Sequence, residues 1–567
     1  MKTVERITLV VLAVVTLTPL GWTGCGSESD DESSVSVFEA RRKKRRTTTT
    51  PDPAPAPEVP APPPAPPPSD ASWTVLSPSV DTRFVYVSAS TGNDANNGLS
   101  EAAPKATIAA GKSLCRAGYP DWLLLKAGDT WTGQSLGNFS KSGRSASEPM
   151  VISSYGSGAR PFLKTGTSDG MDMFGDASIN HVYLVGLHFK AHTFTGSQGS
   201  TGLFLLANPN DILVEDCMIE GYSDNIVLQN ATNFRLRYSV IADSFSNSSH
   251  SQGIYAEGVD GLLIEQCVFD HNGWKEGAGG SPATMYNHNT YINGCSNVVV
   301  RGNLFLRASS IGNKYNSDSS GAFQHLLVEN NFYIEGEVGI SCGGNSNDAF
   351  RFVDVTIRNN VLMHIGRTQP TNRGLAWYLD VQDWDGGTIE NNLFLHQPLL
   401  DNSYGIALAG STERDVAITG NVFYGLKEMN MDIDVSNSEA NITVDSNELQ
   451  DPTEGSRLII QTGPFSKVAY TNNKYYSNAS ASAWFLTNGT SRSYSSWVTA
   501  SGETGSSSGA IAYPAPGRNE VTYQASLGGT ATFAAFVAEA RLQAKNYWRP
   551  EYAAPAVNTY MRAGFGR

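Results

Sequence analysis

The chain has 567 residues and a formal net charge of −14 at pH 7, with 17% charged and 10% aromatic residues. This acidic balance argues against nucleic acid as a partner, because proteins that bind phosphate backbones carry basic surfaces. It does not exclude an acidic glycan, since a groove can be locally cationic on an acidic protein. The aromatic content suits carbohydrate stacking and suits a buried core equally well.

The N-terminus is typical of an export signal. An apolar stretch over residues 7–20 follows two basic residues and is too short to span a bilayer. It ends in small residues before Cys25 and so resembles the cleavage box of bacterial lipoproteins, with Cys25 as the lipidated residue. Those proteins usually carry an aliphatic residue three positions before the cysteine, where this chain has Trp22. We predict a lipoprotein-type signal over 1–25 and an outer-membrane or cell-surface location, with a periplasmic or secreted protein as the alternative.

Residues 26–72 are predicted to be a disordered tether between the lipid anchor and the folded body. A basic run at 41–46 precedes a Pro/Ala tract that extends to residue 68. Such a composition cannot bury a core, and its proline-rich half should be stiff and extended. The basic run could bind anionic lipid or polysaccharide, although a solvated charge block is the favoured interpretation.

The strongest pattern in the chain is an asparagine that returns every 26 to 32 residues. Each follows an apolar residue and two mostly polar residues, and precedes further apolar residues. The asparagines are Asn303, Asn331, Asn360, Asn392, Asn421, Asn447 and Asn473. Upstream, Cys217, Ser239 and Cys267 occupy the same slot. Self-similarity at a period of this length indicates a solenoid.

The content of each repeat favours a β-solenoid. Short β-type runs are bounded by Gly, Asn, Asp and Ser, and no repeat has room for a ten-residue helix. Asparagine tolerates the left-handed conformation of a sharp corner, and stacked asparagines can hydrogen-bond from turn to turn. Turns about 4.8 Å apart place Cys217 and Cys267 too far apart for a disulfide, so we interpret them as buried ladder substitutes.

On this ladder, and on an entry segment over 86–98, the chain resembles the pectin-lyase-like superfamily. The resemblance covers roughly residues 84–490 and implies an all-β fold, a right-handed parallel β-helix of about eleven turns. That superfamily includes polysaccharide lyases, glycoside hydrolases, uronan epimerases, esterases and non-catalytic adhesins. The fold therefore does not settle the activity.

The predicted organisation has three folded parts: an N-terminal cap with the first strands (73–180), the parallel β-helix (181–490), and a C-terminal loop, helix and tail (491–567). In the cap we expect strands at 83–88 and 122–126 and a short amphipathic helix at 107–115. An open solenoid end needs such a cover.

No cofactor is predicted firmly. The loop 92–98 offers oxygen ligands to calcium from Asn93, Asp94, Asn96 and Asn97. It lacks spaced carboxylates, so a plain turn is the favoured interpretation. No cysteine spacing resembles a zinc site, and the identity of any bound metal stays open.

Long insertions between ladder positions locate the candidate site. The longest interval, 36 residues between Cys267 and Asn303, contains Trp274 and His288. An interval of 32 residues, between Asn360 and Asn392, carries Arg373 and Trp377. Regular turns need no such excursions, and long loops beside a stacked sheet usually wall a functional groove.

Strand phase predicts the floor of that groove. Counting back from the next strand aligns Tyr255 with Tyr291, and aligns Glu257 with Asn293; the alternating apolar residues should face inward. On the following turn Lys314 and Asn316 should reach the same outer face. His250 precedes this strip, and His271 and His288 lie in the loops that border it.

These residue types suit β-elimination on a uronic acid. The reaction needs a group that neutralises the carboxylate, a base for the adjacent proton, and an acid for the leaving oxygen. We predict Lys314 or His288 as the base and Tyr255 or Tyr291 as the acid. The remaining predicted roles are orientation by His250, carboxylate binding by Asn293 or Asn316, and substrate contacts from His271, Trp274, Arg373 and Trp377.

The predicted function is therefore a polysaccharide lyase for an acidic polysaccharide, in a protein expected to be monomeric. One alternative is a glycoside hydrolase in the same groove, which would pair Glu257 with a second carboxylate. The candidates for that second carboxylate are Asp224, Asp318 and Glu337. Another alternative is a non-catalytic glycan-binding or adhesive surface protein. The paired-aspartate signature of β-helix polygalacturonases and the Asp-Pro-His-Asp motif of mannuronan epimerases are both absent from the folded region.

Overall fold

The structure is a computed structural model. It describes residues 73–174, 178–197, 199–277, 280–317, 322–343, 351–397, 402–408, 413–436, 440–453 and 455–567. The predicted signal, with Cys25, and the predicted tether lie outside these residues, as does Asp318. Across the described ranges, no helix combines the length and apolar character needed to cross a bilayer.

Three sheets, which we call A, B and C, wind into a parallel β-helix of about twelve turns. The chain passes from sheet A to sheet B to sheet C and back to A in every turn. Neighbouring strands of a sheet come from successive turns and pair in parallel, apart from a final antiparallel pair in sheet C. The predicted fold class, an all-β parallel β-helix, is confirmed.

Strands are numbered in chain order through the molecule. Sheet A contains β1 (Phe84–Val87), β2 (Trp122–Lys126), β5 (Met150–Tyr155), β8 (Asn180–Val185), β11 (Asn210–Glu215), β14 (Thr232–Arg237), β17 (Asp260–Glu265), β20 (Ser296–Arg301), β23 (Phe323–Glu329), β26 (Phe352–Arg358), β29 (Trp384–Glu390), β32 (Arg414–Thr419), β35 (Ile442–Asp445) and β38 (Val468–Thr471). Sheet B contains β3 (Thr130–Thr132), β6 (Phe162–Lys164), β9 (His188–Lys190), β12 (Met218–Glu220), β15 (Val240–Ala242), β18 (Val268–Asp270), β21 (Leu304–Leu306), β24 (Phe332–Ile334), β27 (Val361–Met363), β30 (Leu393–Leu395), β33 (Val422–Tyr424), β36 (Glu448–Asp451), β39 (Lys474–Ser477) and β42 (Ser507–Ser508).

Sheet C contains β4 (Gly137–Asn138), β7 (Met171–Met173), β10 (Thr201–Leu205), β13 (Asp224–Gln229), β16 (Gln252–Glu257), β19 (His288–Asn293), β22 (Ile311–Asn316), β25 (Val338–Cys342), β28 (Leu375–Val381), β31 (Asn402–Leu408), β34 (Met429–Asp434), β37 (Arg457–Thr462), β40 (Phe485–Thr487) and β41 (Thr490–Arg492). The α-helices are α1 (Ile108–Leu114), α2 (Tyr494–Ser501), α3 (Glu520–Ser526), α4 (Phe533–Arg541) and α5 (Ala554–Gly564). Short 3₁₀ helices lie at Phe465–Lys467, Lys545–Tyr547 and Pro550–Tyr552.

The local predictions for the N-terminal part are confirmed. The strands expected at 83–88 and 122–126 are β1 and β2, and the helix expected at 107–115 is α1. The Thr107 hydroxyl caps α1 by accepting from a backbone N–H of its first turn. Strand β2 pairs with β5, and β5 pairs with β8, so the coil begins ahead of residue 181 and exceeds the expected eleven turns.

The repeating asparagines form a buried ladder at the corner between sheets A and B. The backbone N–H and side-chain Nδ2 of Asn331 both donate to Oδ1 of Asn360, at 2.9 and 3.0 Å. The same Nδ2 donates to the carbonyl of Val300, 2.9 Å away. The last ladder residue, Asn473, donates to the buried carboxylate of Glu503 at 2.9 Å, which ends the ladder with an acceptor. Each buried amide is thereby satisfied.

Of two predictions about the ladder, one is confirmed and one is wrong. Cys217 and Cys267 are free and buried in the ladder slot, as predicted. The left-handed corner, however, was assigned to the ladder asparagine itself, and this is wrong. The positive φ belongs to the preceding residue, for example 53° at Asn330 and 67° at Gly302. The corner residue bends the chain so that the next side chain points inward to its neighbours.

Sheet A carries on its outer face a column of alternating charge, one residue per turn. We call this the A column; it comprises Glu215, Arg237, Glu265, Arg301, Glu329, Arg358 and Glu390, in register. Glu265 accepts from Nε of Arg237 at 2.9 Å and from Nε of Arg301 at 2.6 Å. Strand spacing brings opposite charges into contact here, so the column stabilises the coil.

Sheet B is covered by the C-terminal arm, residues 509–567. Phe536 of α4, together with Val557 and Met561 of α5, packs on apolar outer residues of sheet B such as Phe332 and Met363. The arm therefore covers the outer face of sheet B. The outer face of sheet C is the face that carries the predicted strip.

Candidate functional site

The predicted strip is assembled on the outer face of sheet C by the pairing of β16, β19 and β22. Tyr255 pairs with Tyr291, which pairs with Lys314. In the adjacent column Glu257 pairs with Asn293, which pairs with Asn316. The residues between them, such as Ile292, are fully buried in the core. We call this set, together with His288, the C strip.

His288 is the first residue of β19 and lies in the same face as Tyr291, with ring centroids 5.6 Å apart. Its side chain is only 5% exposed, and its backbone N–H donates to the Gln252 side chain at 2.8 Å. Within the described part of the chain, Nδ1 of His288 is buried without a hydrogen-bond partner. The sequence placed this histidine in a bordering loop, whereas the structure places it in the sheet.

The environment of His288 keeps its imidazole neutral. Burial holds the pKa of His288 well below its usual 6.5, and the positive charges of Lys314 and Arg373 lower that pKa further. Nearby His250 acts in the same direction. A neutral imidazole at neutral pH is a proton acceptor, so this histidine has the protonation state that a general base needs.

Lys314 begins a polar chain that runs along sheet C. Its Nζ donates to Oγ of Ser341 at 3.3 Å and to the carbonyl of Gly343. Ser341 in turn donates to Oδ2 of Asp380 at 3.2 Å. Ser341 and Asp380 continue the column of Lys314 on the next two turns, and sequence reasoning missed both. The same phase count, continued past Asn316, would have found them.

The other predicted members of the C strip contact one another. The hydroxyl of Tyr255 donates to Oε2 of Glu257 at 3.1 Å, and its ring lies 5.5 Å from that of Tyr291. Nδ2 of Asn316 donates to Oδ1 of Asn293 at 3.0 Å, and both amides are buried. Lys314 is a better candidate than either asparagine for holding a substrate carboxylate, because its ammonium group carries the opposite charge and the amides are neutral.

His250 lies beside the strip in the loop before β16. Its ring stacks on Tyr286, with centroids 5.1 Å apart, and burial lowers its pKa. The charge of His250, when protonated, also lowers the pKa of His288. This position is compatible with the predicted orienting role.

Arg373 and Glu337 form an ion pair that anchors the loop over 364–374. Their side chains approach to 2.7 Å, and Glu337, which is 0% exposed, also accepts from the backbone N–H of Thr371. Glu337 is therefore occupied by the loop, which argues against it as the second carboxylate of a hydrolase. Arg373 still lies close enough to His288 for its charge to lower that pKa.

Trp377 is part of sheet C instead of a loop. It lies in β28, in the column that contains His288 and Val338. Its ring stacks on Tyr404 of β31 with centroids 5.1 Å apart. The pair extends the aromatic character of this face beyond the C strip.

His271 and Trp274 are not brought to the C strip. His271 has a φ of 58° at the corner after β18 and lies 3.1 Å from Asp243 and 2.8 Å from Glu276. The Trp274 ring is 4.2 Å from the His271 ring. Both side chains lie beside Arg307 and Glu335, which follow strands of sheet B. The prediction of groove contacts from these two residues is therefore not supported by their position.

Additional carboxyl groups lie on sheet C. Asp224 of β13 accepts from the backbone N–H of Gln252 at 2.9 Å, and burial raises the pKa of Asp224 to about 7. Asp432 of β34 shares the column of Asp380, with Ala407 between them. Asp224 was considered in the sequence as a partner for Glu257, but Asp432 was not.

The loop over 92–98, which was considered as a calcium site, uses two of its oxygen-bearing side chains in hydrogen bonds to backbone N–H groups. Oδ1 of Asp94 accepts from the backbone N–H groups of Ala106 and Thr107, and Oδ1 of Asn93 accepts from that of Ala95. The Asp94 bonds tie the loop to the start of α1, and the Asn93 bond lies within the loop. In the described part of the chain, no group of three or more His, Cys, Asp and Glu side chains could hold a metal ion.

No family model matches the sequence, and no curated protein matches it significantly. Among solved structures, the chain is similar to a GH136 lacto-N-biosidase from Eubacterium ramulus, at 14% identity and a TM-score of 0.39 over 71% of this chain and 67% of that one. It is also similar to a rhamnogalacturonan lyase, at 15% identity and a TM-score of 0.34 over 69% of this chain and 87% of that one. A third similar structure is the tailspike protein of E. coli bacteriophage HK620 in complex with pentasaccharide, at 13% identity and a TM-score of 0.41 over 68% of this chain and 73% of that one. Similarities this low carry no argument about activity, and the fold rests on the strand pairing of this chain itself.

Proposed function

We propose that this protein is a polysaccharide lyase that cleaves an acidic, uronic-acid-containing polysaccharide by β-elimination on the outer face of sheet C. The observation that carries the proposal is the nearly buried imidazole of His288 beside the phenol of Tyr291. Burial and the nearby positive charges of Lys314 and Arg373 hold its pKa well below 6.5. A base, an acid and a cation are what this reaction needs within reach of one sugar ring.

We assign the roles from the residue types and their positions on sheet C. Lys314 binds the uronate carboxylate and makes the adjacent carbon proton more acidic. His288 removes that proton, and its electron pair forms a carbon–carbon double bond while the bond to the glycosidic oxygen breaks. Tyr291 gives its proton to the departing oxygen and is reprotonated by solvent, and His288 releases its proton to solvent. Tyr255 supports Tyr291 by ring contact.

The test is turnover by the full-length chain on a panel of alginate, pectate, glycosaminoglycans and neutral glycans. Two signals are followed together: ultraviolet absorbance of unsaturated sugar ends, and new reducing ends. Both signals rising on one uronan is the expected result. Reducing ends without absorbance would contradict a lyase, and silence in both signals with calcium supplied would favour a glycan-binding or adhesive protein.

A hydrolase is the second candidate, and one observation favours it. Asp380 and Asp432 are two nearly buried carboxylates two turns apart in one column of sheet C. Turns are about 4.8 Å apart, which gives a backbone separation close to the range of about 6.5–9.5 Å between the carboxyl groups of inverting glycosidases. If the panel yields reducing ends alone, Asp380→Asn and Asp432→Asn become the first variants to measure.

We also propose that the protein is exported and anchored to a membrane through a lipid on Cys25. Support comes from the N-terminal sequence alone. Incorporation of labelled fatty acid into the full-length chain, and its loss in Cys25→Ala, is the expected result. Equal labelling of both chains would contradict the anchor, and an unlabelled but exported chain would favour ordinary secretion.

A further inference from the structure

An open cavity of about 660 Å³ lies on the sheet B side of the loop segments 271–277 and 280–287. One wall comes from those segments, with Trp274 and Pro282, and the opposite wall comes from the loop over 364–374, with Pro370. No member of the C strip lines it among the described residues. The same two loops therefore have one side toward sheet C and another side toward this cavity.

The charged groups at the cavity already have partners. Glu276 lies 2.8 Å from Nε2 of His271, and Arg307 lies 2.7 Å from Asp270. Lys275 lies over the Phe245 ring, 4.5 Å from its centroid. An ionic ligand would have to compete with these contacts, so the cavity is suited to a neutral ligand with many hydroxyl groups.

The uncharged side chains that line the cavity offer flat apolar surface. The Trp274 indole is partly exposed and is held against the His271 ring, which is itself fixed between two carboxylates. Pro282 and Pro370 are rigid neighbours on either wall. The C–H face of a pyranose packs on such a surface while its hydroxyls bond to paired polar groups at the edge. A volume of this size falls within the range of about 300–1,000 Å³ that is usual for ligand sites.

We propose that this cavity is a second carbohydrate-binding site, separate from the C strip, which takes a short stretch of a neutral glycan with one pyranose ring packed on Trp274. The site retains a glycan beside the C strip without taking part in its cleavage. The proposal does not depend on turnover at sheet C, because the site binds through its own residues.

The test is affinity electrophoresis of the full-length chain in gels that contain a neutral polysaccharide (xylan, galactan or glucomannan) or pectate. We expect retardation of the wild-type chain by at least one neutral polymer, and at least tenfold weaker binding for Trp274→Ala. Trp274→Phe keeps an aromatic face and should lose less. Tyr119→Ala removes an exposed aromatic ring elsewhere and should bind like the wild type.

Each other outcome would overturn the site. Equal retardation of Trp274→Ala and the wild type would do so, as would equal losses in Trp274→Ala and Tyr119→Ala. Retardation by pectate alone, or by no polymer, would also contradict a neutral-glycan site. His288→Gln serves as the link to the proposed lyase: it should lose turnover and keep its retardation, so failure of one proposal is distinguished from failure of the other.

Discussion

The A column and the C strip are both polar, and both stand on stacked parallel strands. The A column carries one residue per turn, whereas the C strip carries two or three. In the A column the charges alternate in sign, and Glu265 lies between two arginines at 2.9 and 2.6 Å. In the C strip, Tyr255, Tyr291 and Lys314 follow one another in a column without alternation. The A column neutralises itself along the coil, whereas the C strip places His288, Tyr291 and Lys314, the proposed base, acid and cation, close together.

The A column shows charges that stabilise the fold, whereas sheet C shows titratable groups whose pKa values are shifted. Glu215 and Glu265 of the A column are buried against guanidinium groups of neighbouring turns, so these charges are paired. On sheet C, burial instead shifts the pKa of single groups: it lowers the pKa of His288 and raises that of Asp224 to about 7. Shifted protonation of this kind is common at functional sites.

The largest expected effect is on turnover. His288→Gln removes the proposed base and should lower kcat on the cleaved uronan by about 10²–10⁴-fold, the usual contribution of general base catalysis. The matched change in the A column is Arg358→Gln, at a partly exposed position, which should leave kcat within about twofold. Equal losses in both variants would contradict the division between the two columns.

Substitutions in the A column should lower the stability of the fold and leave turnover unchanged. Glu265→Gln leaves Arg237 and Arg301 without their shared anion, and its side chain is only 4% exposed. We expect a loss of about 3–5 kcal/mol in the free energy of unfolding, measured by chemical denaturation, with kcat of the remaining folded protein unchanged. Glu390→Gln, at the exposed end of the column, should cost less than about 1 kcal/mol. A similar cost at both positions would mean that burial does not set the strength of the column.

Asp224→Asn tests a carboxyl of sheet C whose pKa is raised by burial. Its pKa of about 7, against an ordinary 3.8, means that the folded state binds more protons than the unfolded state between these values. The stability contribution is therefore present below about pH 4 and is lost as pH rises through about 7. The variant should be more stable than the wild type at pH 8, by about 1–3 kcal/mol, and similar at pH 4. Equal stability at pH 8 would contradict the raised pKa.

The smallest expected effect is a shift in a titration. Lys314→Met removes a positive charge that lowers the pKa of His288, so that pKa should rise toward 6.5, as followed by NMR of the imidazole. Because a lowered pKa leaves the folded state short of protons below pH 6.5, His288 reduces stability as pH falls below that value. Lys190→Met, on sheet B, is the control and should leave the titration unchanged. A shift in the control alone would contradict the local origin of the effect.

Much of the C strip could be derived from strand phase. Once the ladder asparagines define the turns, residues at equal distance from them share a face, and this placed Tyr255, Tyr291 and Lys314 correctly. The count stopped after three turns, and so Ser341, Asp380 and Asp432 were missed. Trp274 was misplaced for another reason: residues inside a long loop have no phase, and the direction of the loop depends on the corner at His271.

The sequence by itself determined the repeat, and with it the β-helix, because a period of 26 to 32 residues with one buried asparagine leaves few ways to satisfy the backbone. Tertiary structure alone decided which face is available and which charges are paired. The C-terminal arm covers sheet B, and Arg373 engages Glu337, through contacts between residues far apart in the chain. The same holds for the pKa of His288, which depends on burial and on charges contributed by other turns.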